Sequence, residues 1–348
     1  MKFFCAIIVP VIILFSGCNE AIITGPSGSL GYKIAYFTYS HKFDSLRVVG
    51  VDGSNDYAVA PFHGTGSSVD WFPNGSALIF SDMVYNPMTD TAWAWLYEFR
   101  TGQKRLLFST IMNGIGGLTV SPDGRMIACI IYPYDNSGAV LSVFDASGGN
   151  RRSLTQSDQF AADCQWSPDA SQILFTLDTN ICTIRPDGSQ FSRLTSGPGC
   201  KTNPSYSPDG TQIVYWLHDY NGFQTICVMN ADGTSPHLIT PLEQKVRALP
   251  KWSPDGKYIA YIQTDSLLIM RVFRMDSEGD NVRQLSTGSG NQFIPRWVPD
   301  SRIVYVSNDP NNLWIVDKDG VESRQITNIP AGLGGTNLTF AISKSMMP

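Results

Sequence analysis

The sequence predicts an all-β fold, a seven-bladed β-propeller of four-stranded antiparallel blades that the C-terminal strand closes. Three observations predict it. One turn motif recurs six times at a spacing in the forties, and a second turn motif recurs seven times between its copies. A fixed period of this length indicates a repeat array. The two ends of the array also complete one another, because the last segment supplies a strand that the first blade lacks.

The first motif is an aromatic residue before Ser-Pro-Asp-Gly or a variant, followed by a short apolar run, as in KWSPDGKYIAYI from Lys251. Ser-Pro-Asp-Gly fits a type I turn, since serine favours the first position, proline the second and glycine the fourth. The leading position is occupied, at intervals of 49, 46, 40, 46 and 45 residues, by Trp71, Val120, Trp166, Tyr206, Trp252 and Trp297. We expect the tryptophan to pack between neighbouring blades and the aspartate to serve the turn.

The second motif is an apolar run that ends in a turn, often Asp-Gly. Its seven copies end at Gly53, Gly102, Gly149, Gly188, Gly233, Gly279 and Gly320. A third marker follows most of them, as in RSLT (152–155) and RQIT (324–327). Each unit therefore reads as four short strands rich in β-branched and aromatic residues, and such units at this spacing form the blades of a propeller.

The two ends of the array decide the number of blades. The segment YKIAYFTYS, from Tyr32, is typical of a second strand without a first, and TNLTFAIS, residues 336–343, supplies the missing strand. Pairing the two closes the ring and leaves no open sheet edge. Residues 30–343 then divide into seven blades of about 45 residues each. Six blades is the alternative, if the N-terminal strands pair differently.

The N-terminal residues are predicted to lie outside the fold. An apolar run from Phe3 to Phe15 is too short for a stable membrane anchor and is typical of a secretory signal. The next residues, LFSGC, resemble the lipobox of bacterial lipoproteins, which implies lipid attachment at Cys18. A plain cleaved signal with a chance cysteine is the alternative. The predicted division is a signal peptide (1–17), a short tether (18–29), the propeller (30–343) and a tail (344–348).

Five further cysteines bear on the redox chemistry. Three of them, Cys129, Cys182 and Cys227, lie in apolar strand-like runs and are expected to be buried, inert thiols. Cys164 and Cys200 lie in predicted loops, so a disulfide between them is possible in an oxidising compartment. No Cys-x-x-Cys spacing occurs in the sequence, which argues against a zinc site.

Composition and motifs narrow the function classes. The net charge is −5 and no lysine-arginine cluster occurs, so nucleic-acid binding is not expected. The sequence contains no Gly-x-Ser-x-Gly, no His-Glu-x-x-His and no P-loop. We therefore expect no cofactor and no catalytic residue, and we expect a monomer.

The repeat of Trp-Ser-Pro-Asp-Gly, IAY, NADG and LT resembles that of TolB-like propellers, relatives of WD-repeat proteins, over nearly the whole mature chain. TolB itself is a periplasmic protein of the Tol-Pal envelope system and carries an N-terminal α/β domain. Only about a dozen residues separate Cys18 from the first predicted strand, so that domain is not expected here. The resemblance implies a non-catalytic scaffold that binds a protein or glycan of the bacterial envelope. With Asn19 after Cys18, an outer-membrane lipoprotein facing the periplasm or the cell surface is expected, held to the membrane by its lipid alone.

Strand order predicts where such a partner binds. In an antiparallel blade the turns between strands 1 and 2 and between strands 3 and 4 share one face of the disc, here called the turn face. The loops between strands 2 and 3 and the links between blades share the other, here called the loop face, and loops carry function more often than the scaffold does. The candidate binding residues on the loop face are Tyr39, His41, His63, Tyr85, Trp93, Tyr134, His218 and Tyr220.

A second function class stays open. Metal-dependent polysaccharide lyases of the oligogalacturonate lyase type resemble this fold, with a metal held by histidines and a glutamine. That resemblance implies that His41, His63 and His218 could converge over the central channel, with Gln244 or Gln292 nearby. Because His41 and His218 occupy equivalent loops of different blades, their separation argues against a shared ion. A purely structural envelope component is a third possibility.

Overall fold

All regular structure in the described part of the protein is β-strand. A computed structural model describes residues 31–38, 44–62, 68–84, 91–111, 114–133, 138–219, 221–241, 249–309, 311–329 and 339–345. Their 28 strands form seven separate four-stranded antiparallel sheets. The prediction of seven four-stranded blades is therefore confirmed, and six blades is wrong.

Each blade is numbered by its place in the chain, and its strands are given from the first to the fourth. Blade 1 contains β28 (Phe340–Ile342), β1 (Lys33–Thr38), β2 (Ser45–Gly50) and β3 (Tyr57–Pro61). Blade 2 contains β4 (Val69–Trp71), β5 (Ala77–Val84), β6 (Thr91–Glu98) and β7 (Gln103–Ile111). Blade 3 contains β8 (Gly114–Val120), β9 (Met126–Tyr132), β10 (Val140–Asp145) and β11 (Arg152–Ser153). Blade 4 contains β12 (Ala161–Trp166), β13 (Ile173–Leu177), β14 (Asn180–Ile184) and β15 (Ser192–Arg193).

The remaining three blades follow the same order. Blade 5 contains β16 (Cys200–Tyr206), β17 (Gln212–His218), β18 (Gln224–Asn230) and β19 (His237–Leu238). Blade 6 contains β20 (Lys251–Trp252), β21 (Tyr258–Thr264), β22 (Met270–Asp276) and β23 (Arg283–Gln284). Blade 7 contains β24 (Gln292–Trp297), β25 (Ile303–Asn308), β26 (Asn311–Val316) and β27 (Ser323–Gln325). The first strands of successive blades contact one another, so they surround the central channel.

The C-terminal strand closes the ring as predicted. β28 pairs antiparallel with β1, matching Ile342 with Ile34 and Phe340 with Tyr36. The turn serine of this blade is also supplied from the C-terminal side, because Ser343 Oγ accepts a hydrogen bond from Lys33 N at 2.9 Å. Ser343 N donates to the carbonyl of Lys33 in return. Blade 1 thus rebuilds the first turn motif from two segments about 310 residues apart.

Apolar clusters fill the spaces between the blades, and the motif tryptophans lie in them. Trp71 is fully buried among residues of blades 1 and 2. Its Nε1 donates to the carbonyl of Ala341 in the preceding blade at 3.2 Å. Trp166 and Trp297 make the same bond, to the carbonyls of Thr119 and Lys251. The tryptophan is therefore an inter-blade wedge, as predicted, and in blades 2, 4 and 7 it also ties the first strand to that of the preceding blade.

The aspartate of the first motif serves its own turn. In blade 5, Ser207 Oγ donates to Asp209 Oδ1 at 2.6 Å and accepts from Gln212 N at 2.9 Å. Asp209 Oδ1 also accepts from Thr211 N. Blades 3, 4 and 6 repeat this arrangement around Asp123, Asp169 and Asp255. Because these bonds satisfy both side chains locally, the motif is a structural part and not a chemical site.

The turn aspartate gives a prediction on pH. The hydroxyl of Ser207 is the main cause that lowers the pKa of Asp209 below its ordinary value of 3.8. Asp209 therefore stabilises the fold above that value, and its contribution is lost as the pH falls through the lowered folded pKa. Ser207→Ala is expected to raise the pKa of Asp209, measured by carboxyl-carbon NMR titration. Thr234→Ala, in another turn, is the control, and an unchanged Asp209 pKa in Ser207→Ala would contradict the assignment.

The third sequence marker, such as RSLT or RQIT, ends in a threonine or serine whose hydroxyl accepts a hydrogen bond from strand 3 of its own blade. In blade 7, the hydroxyl of Thr327 accepts a hydrogen bond from Leu313 N at 3.0 Å. The same position accepts from strand 3 in blades 3 to 6, through Thr155, Thr195, Thr240 and Ser286. The arginine of RQIT, Arg324, donates to the carbonyls of Val51 and Asp52, so it links blade 7 to the turn face of blade 1. The marker therefore holds the outer strand in place and joins neighbouring blades.

Candidate functional site

Only two of the predicted loop-face candidates belong to the residues that the structure describes. Tyr39, His41, His63, Tyr85, Tyr134 and Tyr220 lie outside the described residues, as do Cys18 and Gln244. Trp93 lies in β6 of blade 2 and is partly exposed, and His218 ends β17 of blade 5. Three blade steps separate these two residues around the ring, so the structure does not bring them together.

His218 lies in a side-chain cluster at the loop-face end of blade 5. Its ring packs on that of Trp216, with the ring centroids 4.5 Å apart. Positions 214, 216 and 218 lie on the same face of β17, because every second side chain of a strand points the same way. Val214 packs against blade 6, so Trp216 and His218 point toward that blade as well. Three buried side-chain atoms here have no hydrogen-bond partner among the described residues: Trp216 Nε1, Gln224 Oε1 of β18 and Gln263 Oε1 of β21 in blade 6. Such atoms are costly unless something else binds them.

The loop face beside this cluster exposes apolar side chains. Phe223, in the loop between β17 and β18, is 49% exposed. Leu267 and Leu268, in the loop between β21 and β22, are 74% and 67% exposed. We call Phe223, Leu267 and Leu268 the apolar rim. Sequence reasoning missed the two leucines, although an apolar pair directly after Asp265-Ser266 was a readable sign of an exposed loop tip.

The first strands, which line the central channel, share a backbone irregularity that the sequence did not indicate. In five blades the residue three positions before the motif's leading residue has a positive φ, and these residues are Gly117, Asp163, Asn203, Leu249 and Ile294. In four of them the pairing of the first strand shifts register at this point. These shifts are β-bulges, which bend a strand and re-aim its side chains. Glycine, which has no side chain, and asparagine adopt a positive φ easily. A positive φ is unusual for a β-branched residue such as Ile294.

The two acids of the channel are held by hydrogen bonds. Asp163, on the bulge of blade 4, accepts from both the backbone N and the Nδ2 of Asn203, each at 3.0 Å. Asp70 of blade 2 accepts from Val120 N at 2.9 Å and faces Lys344 Nζ at 3.6 Å. Both carboxylates therefore bridge their blade to the next one, which is a structural role.

Two basic side chains of the first strands, Lys251 and Arg296, are surrounded by protein but lack, among the described residues, the hydrogen bonds that hold the acids. Lys251 and Arg296 occupy equivalent positions in blades 6 and 7, one residue before the motif tryptophan. Burial is the first cause that lowers the pKa of Lys251 to about 8, and the charge of Arg296 lowers it further. Burial likewise lowers the pKa of Arg296, although solvent still reaches its side chain. A side chain that lines a channel is surrounded by protein but still accessible to solvent, and both cations fit this description.

Comparison with known proteins decides the family. Residues 98–333, more than half of the chain, match the family model described as the TolB beta propeller domain. The chain belongs to the TolB β-propeller family. An uncharacterized protein of Agrobacterium fabrum is 29% identical over 82% of this chain and 94% of its own length. A TolB homolog of Chlorobium luteolum is 30% identical over 28% of this chain and 22% of its own.

Solved structures share the fold. TolB from Acinetobacter baumannii has a TM-score of 0.54 at 19% identity, over 77% of this chain and 67% of its own. An oligogalacturonate lyase in complex with manganese has a TM-score of 0.62 at 12% identity, over 79% of this chain and 82% of its own. The propeller domain of the trilobed protease of Pyrococcus furiosus, described as having an open velcro topology, reaches 0.65 at 12% identity over 85% and 92%. By contrast, this TolB-family ring is closed by β28.

Gln292, the glutamine candidate for a metal that the structure describes, is engaged elsewhere in this TolB-family propeller. Gln292 is fully buried, its Oε1 accepts from Ser286 Oγ, and its Nε2 donates to the carbonyl of Gly290. Within the described ranges no three histidines, cysteines or carboxylates group as metal ligands do. Nor does any described helix have the length and apolar character to span a bilayer.

The possible Cys164–Cys200 disulfide is absent from the structure, in which the two cysteines lie at different heights on β12 and β16. Both are free thiols, and Cys164 Sγ donates to the carbonyl of Gly117 at 3.0 Å. Cys164 lies two residues before its motif aromatic residue and Cys200 six residues before its own. At about 3.3 Å per strand residue this offset is too large for a disulfide. The other three cysteines are buried as predicted, and burial raises the pKa of Cys227 to about 12.

Proposed function

We propose that this TolB-family propeller is a non-catalytic binding scaffold of the bacterial cell envelope, whose loop face binds an envelope protein. The observation that carries the proposal is the apolar rim, which lies beside buried polar atoms that lack partners on blades 5 and 6. These side chains lie on corresponding loops of two neighbouring blades, and apolar side chains that cluster on a surface mark interaction sites. Leucine side chains favour a protein partner over a polysaccharide, because sugars are bound chiefly by aromatic faces and polar groups.

The turn face offers less to a partner, since its motif turns satisfy their own polar groups. Strand direction also orients the disc. β1 is the second strand of its blade, so the chain enters the ring at the turn face. In the proposed lipoprotein, the twelve residues between Cys18 and Gly31 reach at most about 40 Å from the membrane. The lipid then holds the turn face toward the bilayer and presents the loop face to partners in the periplasm or beyond.

The apolar rim gives a direct test of this proposal. The double variant Leu267→Ser with Leu268→Ser is expected to weaken partner capture from solubilised envelopes at least tenfold, because it removes most of the exposed apolar surface of blade 6. Val321→Ser is the matched control, since Val321 is as exposed as Leu267, at 74%, but lies on the turn face. Circular dichroism checks that both variants are folded.

The outcomes separate the candidate partners. Loss of one protein in the double variant and its retention in Val321→Ser support the proposal. Equal capture by both variants contradicts it. Loss of binding to purified envelope polysaccharide, with protein capture unchanged, would assign the face to a glycan instead.

The metal-dependent lyase remains a prediction without support from the described residues. Its glutamine candidate Gln292 is committed to Ser286 and Gly290, so it cannot ligate an ion without losing those bonds. We expect elemental analysis of the purified protein to find less than one transition-metal ion per chain. Stoichiometric metal that is retained through dialysis and lost in His218→Ala would reinstate the lyase.

A further inference from the structure

We propose that Lys251 and Arg296 form an anion-binding site in the central channel that takes a single carboxylate group. This inference is independent of the loop-face function, because both residues lie near the turn-face end of their strands, directly before the motif tryptophans.

The side chains of Lys251 and Arg296 are both directed into the central channel. Lys251 of blade 6 interacts electrostatically with Asp163 of blade 4, and Arg296 of blade 7 with Asp70 of blade 2. In each pair another blade stands between the partners around the ring. Such charges can act on one another at short range only through the channel, so both cations are directed into it.

Among the described residues, Lys251 and Arg296 are unpaired, whereas the two acids, Asp163 and Asp70, are not. Asp163 and Asp70 accept backbone hydrogen bonds from the neighbouring blade, and Asp70 also faces Lys344. Over the described part of the chain, neither Lys251 Nζ nor the guanidinium of Arg296 has a hydrogen-bond or ion-pair partner. The guanidinium of Arg296 lies over the ring of Phe340, with 5.7 Å from its carbon to the ring centroid. Two unpaired cations in a confined space favour binding of an anion.

The acids across the channel set the charge of the ligand. A carboxylate brings one negative charge and fits the fork of an arginine with two parallel hydrogen bonds. A doubly charged phosphate would meet stronger repulsion from Asp70 and Asp163. The site therefore favours a ligand with one carboxylate, which a sugar acid or a peptide can supply.

Binding should depend on pH through Lys251. Arg296 and Asp163 act on Lys251 directly. Asp70 acts on Arg296 and faces Lys344, and both acids act on the Cys164 thiol. An anion stabilises the charged amine, so a bound carboxylate raises the pKa of Lys251 from about 8. Conversely, affinity falls as the pH rises through that value, because the amine loses its proton.

The test uses the purified full-length protein and four probes: acetate, glucuronate, N-acetylglycine and inorganic phosphate. Lysine-amine NMR titration is expected to show a rise in the pKa of Lys251 of at least half a unit with a carboxylate probe. Lys251→Met and Arg296→Gln are expected to weaken carboxylate binding at least tenfold. Lys257→Met, an exposed lysine in the turn of the same blade, is the matched control and should bind as the parent does.

Each result decides the matter. Stronger binding of glucuronate than of N-acetylglycine identifies a sugar acid as the ligand, and the reverse order identifies the terminal carboxylate of a peptide; either supports the site. Stronger binding of phosphate, an unshifted Lys251 pKa with every carboxylate, or parental affinity in Lys251→Met overturns it. The pKa measurement on the parent protein keeps the test valid if Arg296→Gln does not fold. The leucine variants of the apolar rim should leave this binding unchanged.

Discussion

Deletion of residues 339–348 is expected to lower the free energy of unfolding by at least about 4 kcal/mol and to make the protein aggregate. The deletion removes β28, whose Phe340 is buried in the core cluster shared by blades 1 and 7. Loss of a buried phenylalanine side chain alone costs about 3–5 kcal/mol. It also removes the carbonyl of Ala341, the acceptor for Trp71 Nε1, which is worth about 1 kcal/mol.

The exposed edge explains the expected aggregation. Without β28, the backbone groups of β1 that now pair with it become an open sheet edge. Urea unfolding followed by tryptophan fluorescence, with light scattering, measures both effects. Deletion of residues 346–348 alone is the control and should change neither. An unfolding midpoint equal to that of the parent after the long deletion would show that β28 does not close the ring.

Trp71 is expected to be the most sensitive of the motif tryptophans. It is fully buried, it is stacked on Phe99 with the ring centroids 5.3 Å apart, and its Nε1 is hydrogen-bonded to blade 1. Trp71→Ala is expected to cost about 3–5 kcal/mol of unfolding free energy, as large-to-small core substitutions do. The same urea titration measures it.

A matched pair isolates the hydrogen bond within that cost. Trp252 occupies the equivalent position in blade 6, but its Nε1 has no hydrogen-bond partner in the part of the chain that the structure describes. Trp71→Phe should therefore cost about 1 kcal/mol more than Trp252→Phe, since both lose similar ring area and only the first loses a bond. Equal costs in the two variants would show that the bond to Ala341 contributes nothing to ring closure.

Local chemistry explains why so much of the fold could be predicted. Serine, proline, aspartate and glycine at successive positions fix a turn through bonds within a few residues, as Ser207 and Asp209 show. The closing strand could be predicted as well, because the chain begins with a second strand and ends with an unpaired first one. The spacing of the motifs then gave the number of blades, and all seven sheets are present.

The candidate sites were harder to predict, because they depend on contacts between blades. Trp93 and His218 both lie near predicted loops, but the ring places them three blades apart. Lys251 and Arg296 appear in the sequence as ordinary polar strand residues. Their lack of partners follows only when Asp163 and Asp70 are seen to be bound by other blades.

The sequence by itself determined the repeating unit, its turns, the position of each wedge tryptophan and the closure of the ring, because each depends on residues near one another or on a fixed period. Only the tertiary structure decided which polar groups stay free in the channel and which apolar side chains are exposed on the loop face. A residue's partners across the ring are set by the curvature of seven packed blades, and no local pattern encodes that distance.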